Sequence, residues 1–217
     1  MDDEKLALVE LKRDLLFEKI PITMYEYYVK QSMKIGIDAA EKLERKSLSE
    51  IYKEYNIKIS YNKKTNILMN FQLRAEFIKG RGQDEVVIYT DTLDELKNCL
   101  NHSEYIKEEI TLSELIDLHL AHELCHFLEY ENNFPIEKRL EPVKVKTLFG
   151  RHKMMYIKQC SEIACHTFAK KITNFPYFPT LLDVIFLESK GELDSDIKKD
   201  VLFNVKNNKK DVRKCLM

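Results

Sequence analysis

Apolar positions recur with helical spacing at the start of the chain, alternate near residue 57, and return to helical spacing after residue 91. Leu6, Leu8, Val9, Leu11, Leu15 and Leu16 stand among charges and predict a helix over residues 4–19, closed by Pro21. A second helix is expected from Thr23 to Arg45, with Gly36 as a weak point inside it, and a short third one from Ser47 to Tyr55. Ile57 to Tyr61 alternates and is followed by the polar turn Asn62 to Asn66. Ile67 to Phe77 reads as a second strand with Arg74 and Glu76 blurring its limits. Gly80-Arg81-Gly82 marks a turn before the strongest strand, Glu85 to Thr90. The three strands predict one small antiparallel sheet. Asp91 or Thr92 is then expected to cap a helix to about Asn101.

The next helix is the most informative. Thr111 and Glu114 form a capping-box pattern, so a helix should start there and run to about Glu131. On a wheel of about 100° per residue, Ile116, Leu120, Ala121, Leu124, Cys125, Phe127 and Leu128 cover one broad half. Leu115, His119, His122 and His126 fall within a stripe roughly 60° wide on the other side. Three histidines on one narrow stripe of a largely apolar helix are costly to bury unless something satisfies them, and a metal ion does that. Beyond it, Glu141 to Phe149 alternates weakly as a strand or extended loop. A helix from about Lys153 to Asn174 buries Ile157, Cys160, Ala164, Cys165, Phe168 and Ile172, with Glu162 and His166 four apart on its other side. Pro176 and Pro179 bracket a turn, Leu181 to Lys190 is a helix closed by Gly191, and Ser195 caps a last one to about Val205. The polar tail from Lys206 is expected to fray.

Composition narrows the function classes. Lys plus Arg number 35 against 36 Asp plus Glu, a balance without the bulk positive charge that nucleic acid or anionic lipid would call for. The first helices lack the tight glycine turn and basic recognition face of a helix-turn-helix, so no direct nucleic-acid contact is expected. Hydrophobic content of 44% with 33% charged residues describes an ordinary globular protein. The five cysteines, Cys99, Cys125, Cys160, Cys165 and Cys215, have no Cys-x-x-Cys spacing, which suits reduced thiols. With no apolar leader and no run of membrane-spanning length, a cytoplasmic chain is expected. Oligomeric state stays open.

The chemistry centres on Ala121-His122-Glu123-Leu124-Cys125-His126. Histidines four apart on a helix stand one turn above each other and can reach one metal ion, while the intervening Glu can take a proton from water. A catalytic zinc ordinarily has three protein ligands and one open position, so a third ligand is needed. Glu162, on a separate helix able to fold back antiparallel, is favoured, with His152 and His119 as rivals.

Residues 50–175 resemble the ImmA/IrrE family of zinc-dependent metallopeptidases. The resemblance lies in the strand Val86-Val87-Ile88-Tyr89, the His122-Glu123-Leu124-Cys125-His126 helix, and Glu162-Ile163-Ala164-Cys165-His166-Thr167-Phe168-Ala169. In the family the last segment reads Glu-x-Glu-Ala-Asn/Asp-x-Phe-Ala, and its first Glu is the third zinc ligand. That implies His122, His126 and Glu162 as metal ligands and Glu123 as the catalytic base. Cys125 stands where Gly is usual, and Ala164, Cys165 and His166 replace Glu, Ala and Asn/Asp. His166 could orient a ligand, stabilise an oxyanion or fill a polar position, with His152 and Tyr156 as other oxyanion candidates. The resemblance implies an α+β, mainly helical zincin-like domain over 51–176, carrying a helical extension at 1–50 and another at 177–217. It also implies an endopeptidase acting on a specific protein, such as a transcriptional repressor, with the strand Glu85 to Thr90 as the edge that binds extended peptide. Two other readings are a SprT-like protease with His152 as third ligand and a non-catalytic, metal-binding interaction protein.

Overall fold

The computed structural model describes residues 2–43, 45–63, 73–132, 135–146, 150–198 and 201. The chain is α+β and mainly helical. Helices α1 (Asp3–Lys12), α2 (Tyr25–Glu41) and α3 (Leu48–Glu54) lead into strands β1 (Ile57–Asn62), β2 (Ala75–Ile78) and β3 (Asp84–Tyr89). Then follow α4 (Thr90–Asn101), α5 (Leu112–Glu131), the hairpin β4 (Val143–Lys146) and β5 (His152–Met155), α6 (Gln159–Thr173) and α7 (Pro179–Lys190).

Both capping boxes form. Ser47 and Thr111 each accept from the backbone N–H three residues on, and Glu50 and Glu114 reach back to the cap N–H. Asp91 and Thr92 do not cap α4, which begins at Thr90 without a side-chain cap; the Thr92 hydroxyl instead donates to the carbonyls of Tyr89 and Leu73. The helix expected from Lys153 starts at Gln159, because residues 152–155 pair antiparallel with 143–146. The start expected for the second strand (67–72), the end of the weakly alternating segment (147–149), most of the last helix, the tail and Cys215 lie outside the described residues.

The three-stranded sheet is mixed rather than antiparallel. β2 and β3 are a hairpin closed at the Gly80–Gln83 turn, and β1 lies parallel to β3 on its other side, giving the order β1-β3-β2. Hence β3, the most apolar of the three, is central and buried, as a strand hydrogen-bonded on both sides should be. It cannot offer a free edge to a peptide. β2 is an edge, and it packs against α5.

The most extensive helix pairing is α2 against α6, followed by α5 against α6. Gly36 is what lets α2 approach: a Cβ there would lie 2.3 Å from the Ala164 carbonyl oxygen. The glycine read as a weak point in α2 is therefore the place of its closest packing. One apolar cluster runs from Leu6 through Leu124 and Phe168 to Val184, so the terminal helices share the core of the central part. Cys125, Cys160 and Cys165 are buried free thiols within it. Among the described residues no helix is long and apolar enough to cross a membrane.

Candidate metal centre

Helices α5 and α6 bring the histidine stripe and Glu162 together. His122 Nε2 lies 3.1 Å from His126 Nε2 and 3.5 Å from Glu162 Oε2, and His126 Nε2 lies 3.4 Å from Glu162 Oε1. Three donors on a tetrahedral ion with bonds near 2.0–2.2 Å would stand roughly 3.3–3.5 Å apart. The two imidazoles and the two oxygens of Glu162 stand at separations near those of a metal's ligands, so the residues present suit a metal ion. His166 adds a further donor: ligand atoms of His122, Glu162 and His166 lie within 4.8 Å of one another. A second group, His126, Glu129 and Cys165, meets the same criterion on the other side of His126.

These groups shift one another's proton affinities strongly. Burial drives the His122 imidazole well below its ordinary proton affinity, and the neighbouring His126 and His166 add to this. Burial acts on His126 in the same sense, yet Glu129 and Glu162 outweigh it and push it up to about 11. The two histidines shift in opposite directions because only one proton fits between nitrogens 3.1 Å apart. Burial would raise Glu162, but the hydrogen bond to His126 and the neighbouring imidazoles hold it down to about 2. A metal cation supplies the charge that this arrangement otherwise takes from a proton.

Glu123 stands apart from the ligand set. Burial raises its carboxyl to about 7, Glu162 adding to this against the opposing His126. The backbone N–H of Phe77 in β2 donates to it, which ties the edge strand to the centre. These groups open on a cavity of about 840 Å³ lined by His119, His122, Glu123, Glu162 and His166 on one side. Leu73, Arg74 and Ala75 form a second wall, and α7 closes the third through Pro179, Leu182, Asp183 and Phe186.

The other sequence-predicted candidates separate clearly. His119 lines the cavity but donates its Nδ1 proton to the Leu115 carbonyl at 2.7 Å, and burial together with Arg74 lowers it to about 4. His152 is exposed on β5, opposite Lys146, and stands in neither metal-capable group among the described residues. Neither His152 nor Tyr156 lines the cavity, whereas His166 does.

Several contributors were not anticipated. Glu129, one turn after His126, holds its Oε2 3.6 Å from His126 Nδ1, and Ser161 and the Ile136 N–H both donate to that carboxylate at 2.6 Å. Its i, i+3 spacing from His126 was the available signal. Arg13 and Arg74 both pair with Asp183 across the cavity, and burial notwithstanding, the two guanidinium groups hold Asp183 far below the carboxylate range. Joining α1, the segment before β2 and α7, that ion pair had no local signal. No protein-family model matches the chain, nor does any curated protein or solved structure.

Proposed function

We propose that the protein is a zinc-dependent metallo-endopeptidase whose centre is His122, His126 and Glu162, with Glu123 as general base. The observation that carries this reading is the approach of two imidazole Nε2 atoms, 3.1 Å apart, to the two oxygens of Glu162 at 3.5 and 3.4 Å, beside a buried carboxylate raised to about 7. Two imidazoles and one carboxylate are a donor set suited to zinc, and a bound zinc would supply Lewis acidity and acidify water at the site. Glu123, half-way between ionised and protonated near neutral pH, is matched to take a proton from attacking water and return it to the leaving amine. Glu129, fixed by Ser161 and the Ile136 N–H, stands 3.6 Å from His126 Nδ1, and Cys165 Sγ lies 3.5 Å from the same nitrogen; these two groups engage Nδ1 and so leave Nε2 to the metal.

An extended peptide would lie along the edge of β2 that is unpaired among the described strands, whose Phe77 N–H faces Glu123, rather than along β3. The apolar wall from α7 would receive a side chain near the scissile bond. The resemblance to ImmA/IrrE proteins makes a regulatory protein, such as a repressor, the substrate class to try first. Cytoplasmic residence fits that role. His152, exposed on β5, gives no support to the SprT-like alternative.

The test compares wild type with Glu123→Gln for zinc content and for cleavage of candidate regulators. Both should bind one equivalent of zinc, and only wild type should cleave, with a loss of at least about 100-fold in the variant. Equal cleavage by the two would sink the base assignment, and absence of zinc from both would sink the metal centre.

A further inference from the structure

His166 is bound away from the metal centre by a chain of buried groups that ends on the first helix. Its Nδ1 lies 3.1 Å from Thr180 Oγ1, and the Thr180 hydroxyl donates to Glu10 Oε2 at 3.1 Å. Glu10 also accepts from Arg13 Nη1 at 2.9 Å and from Gln159 Nε2 at 3.2 Å, which fixes both of its oxygens. All three members are buried: His166 is 8% exposed, Thr180 0% and Glu10 3%.

The direction of this chain follows from counting protons. A carboxylate only accepts, and a threonine hydroxyl has one proton, which goes to Glu10. Thr180 can therefore only accept from His166, so the His166 proton must sit on Nδ1. In the neutral imidazole Nε2 then carries the lone pair, and with Nδ1 spent on Thr180 it is the nitrogen left for the side facing His122 and Glu162. His122, whose Nε2 also approaches His126 and Glu162, stands on that side. The His166 ring is 5.1 Å away, centroid to centroid.

We propose that Glu10 and Thr180 are positioning residues for the metal centre: they fix the tautomer of His166 so that its Nε2 lone pair is turned toward His122 and Glu162 as a further donor. The relay makes α1 and α7, at opposite ends of the chain, part of the centre built on α5 and α6. A neutral His166 in this tautomer has no proton to offer an oxyanion, which separates the donor role from the oxyanion role. The proposal rests on the metal reading for its consequence, although the tautomer exists with or without an ion.

The experiment is nitrogen NMR of histidine-labelled, metal-free protein, with the His166 resonances identified by their loss in His166→Asn, together with zinc-competition titration. Wild type and Thr180→Ser should both carry the His166 proton on Nδ1 and bind zinc alike. Thr180→Val, which keeps the shape and deletes the acceptor, should shift the proton toward Nε2 and weaken zinc about tenfold. Glu10→Gln should weaken zinc less, because Thr180 is retained. A wild-type proton on Nε2 overturns the relay, as does a Thr180→Val protein with unchanged tautomer and affinity. If wild type binds no zinc but shows the Nδ1 proton, the metal reading falls and the relay stands.

Discussion

His122 and His126 stand one turn apart on α5 with their Nε2 atoms 3.1 Å apart, yet they are supported in different ways. His126 is backed by Glu129 of its own helix, steadied by Ser161 and by the backbone of Ile136. His122 faces the ring of His166 of α6, which is bonded to Thr180 of α7 and, through it, to Glu10 of α1. Half of the centre is thus supported close by in sequence, and half by contacts spanning as many as 170 residues. The local half should survive rearrangement of the terminal helices, and the distant half should not.

The largest expected effect tests what the two halves share. Glu162→Ala removes the donor that touches both imidazoles, and zinc affinity should fall by more than about 100-fold in a competition titration, exceeding the effect of an orienting partner. Next come the supports themselves. Glu129→Gln should cost about 10–100-fold in zinc affinity while leaving the His166 tautomer untouched, and a tautomer change there would erase the distinction between the halves.

A smaller effect concerns pH in the metal-free protein. Glu162 is held at about 2 against an ordinary 4.5, so it stabilises the fold above 4.5, and that contribution is lost as pH falls from 4.5 toward 2. Glu123 is raised from 4.5 to about 7, so the folded state binds the extra proton and stability falls as pH rises from 4.5 to 7. His119 and His122, held below their ordinary affinity, act in the opposite sense up to pH 6.5, so the Glu123 contribution is read as a difference. In thermal melts of metal-free protein, Glu123→Gln should gain on wild type as pH rises from 4.5 to 7. The smallest effect is a control away from the centre: Lys30→Ala, breaking an exposed i, i+4 pair with Glu26, should change stability by less than about 0.5 kcal/mol in denaturant titration.

The same division explains what could be read from the sequence. The capping box at Thr111, the histidine stripe on α5 and the Glu162/His166 pair on α6 follow from spacing within single helices, and the structure places each as read. The start of α6 was misplaced because Lys153 to Met155 carries no strong strand pattern and takes its state from pairing with Val143 to Lys146. The parallel pairing of β1 with β3 was missed for a related reason. Alternation marks a strand's faces but not its neighbours, and the strongest strand, read as an edge, proved central. Glu10 and Thr180 carry no local sign of their link to His166, nor Asp183 of its part in the cavity, since an acid in an amphipathic helix looks solvent-facing until another helix covers it.

Gly36 sets a limit on how this protein can be improved. Replacing an interior helix glycine by alanine is ordinarily a gain of about 0.5–1 kcal/mol, and a stability screen would try it early. Here the added methyl would meet the Ala164 carbonyl at 2.3 Å and the Thr167 side chain at 2.9 Å, two residues and five residues beyond Glu162 on the same helix. Accommodating it means sliding α6 off α2, and α6 carries the carboxylate that both imidazoles share. A variant that tolerates alanine at this position would therefore report its adjustment as altered zinc affinity, making one buried methyl a remote handle on the metal centre.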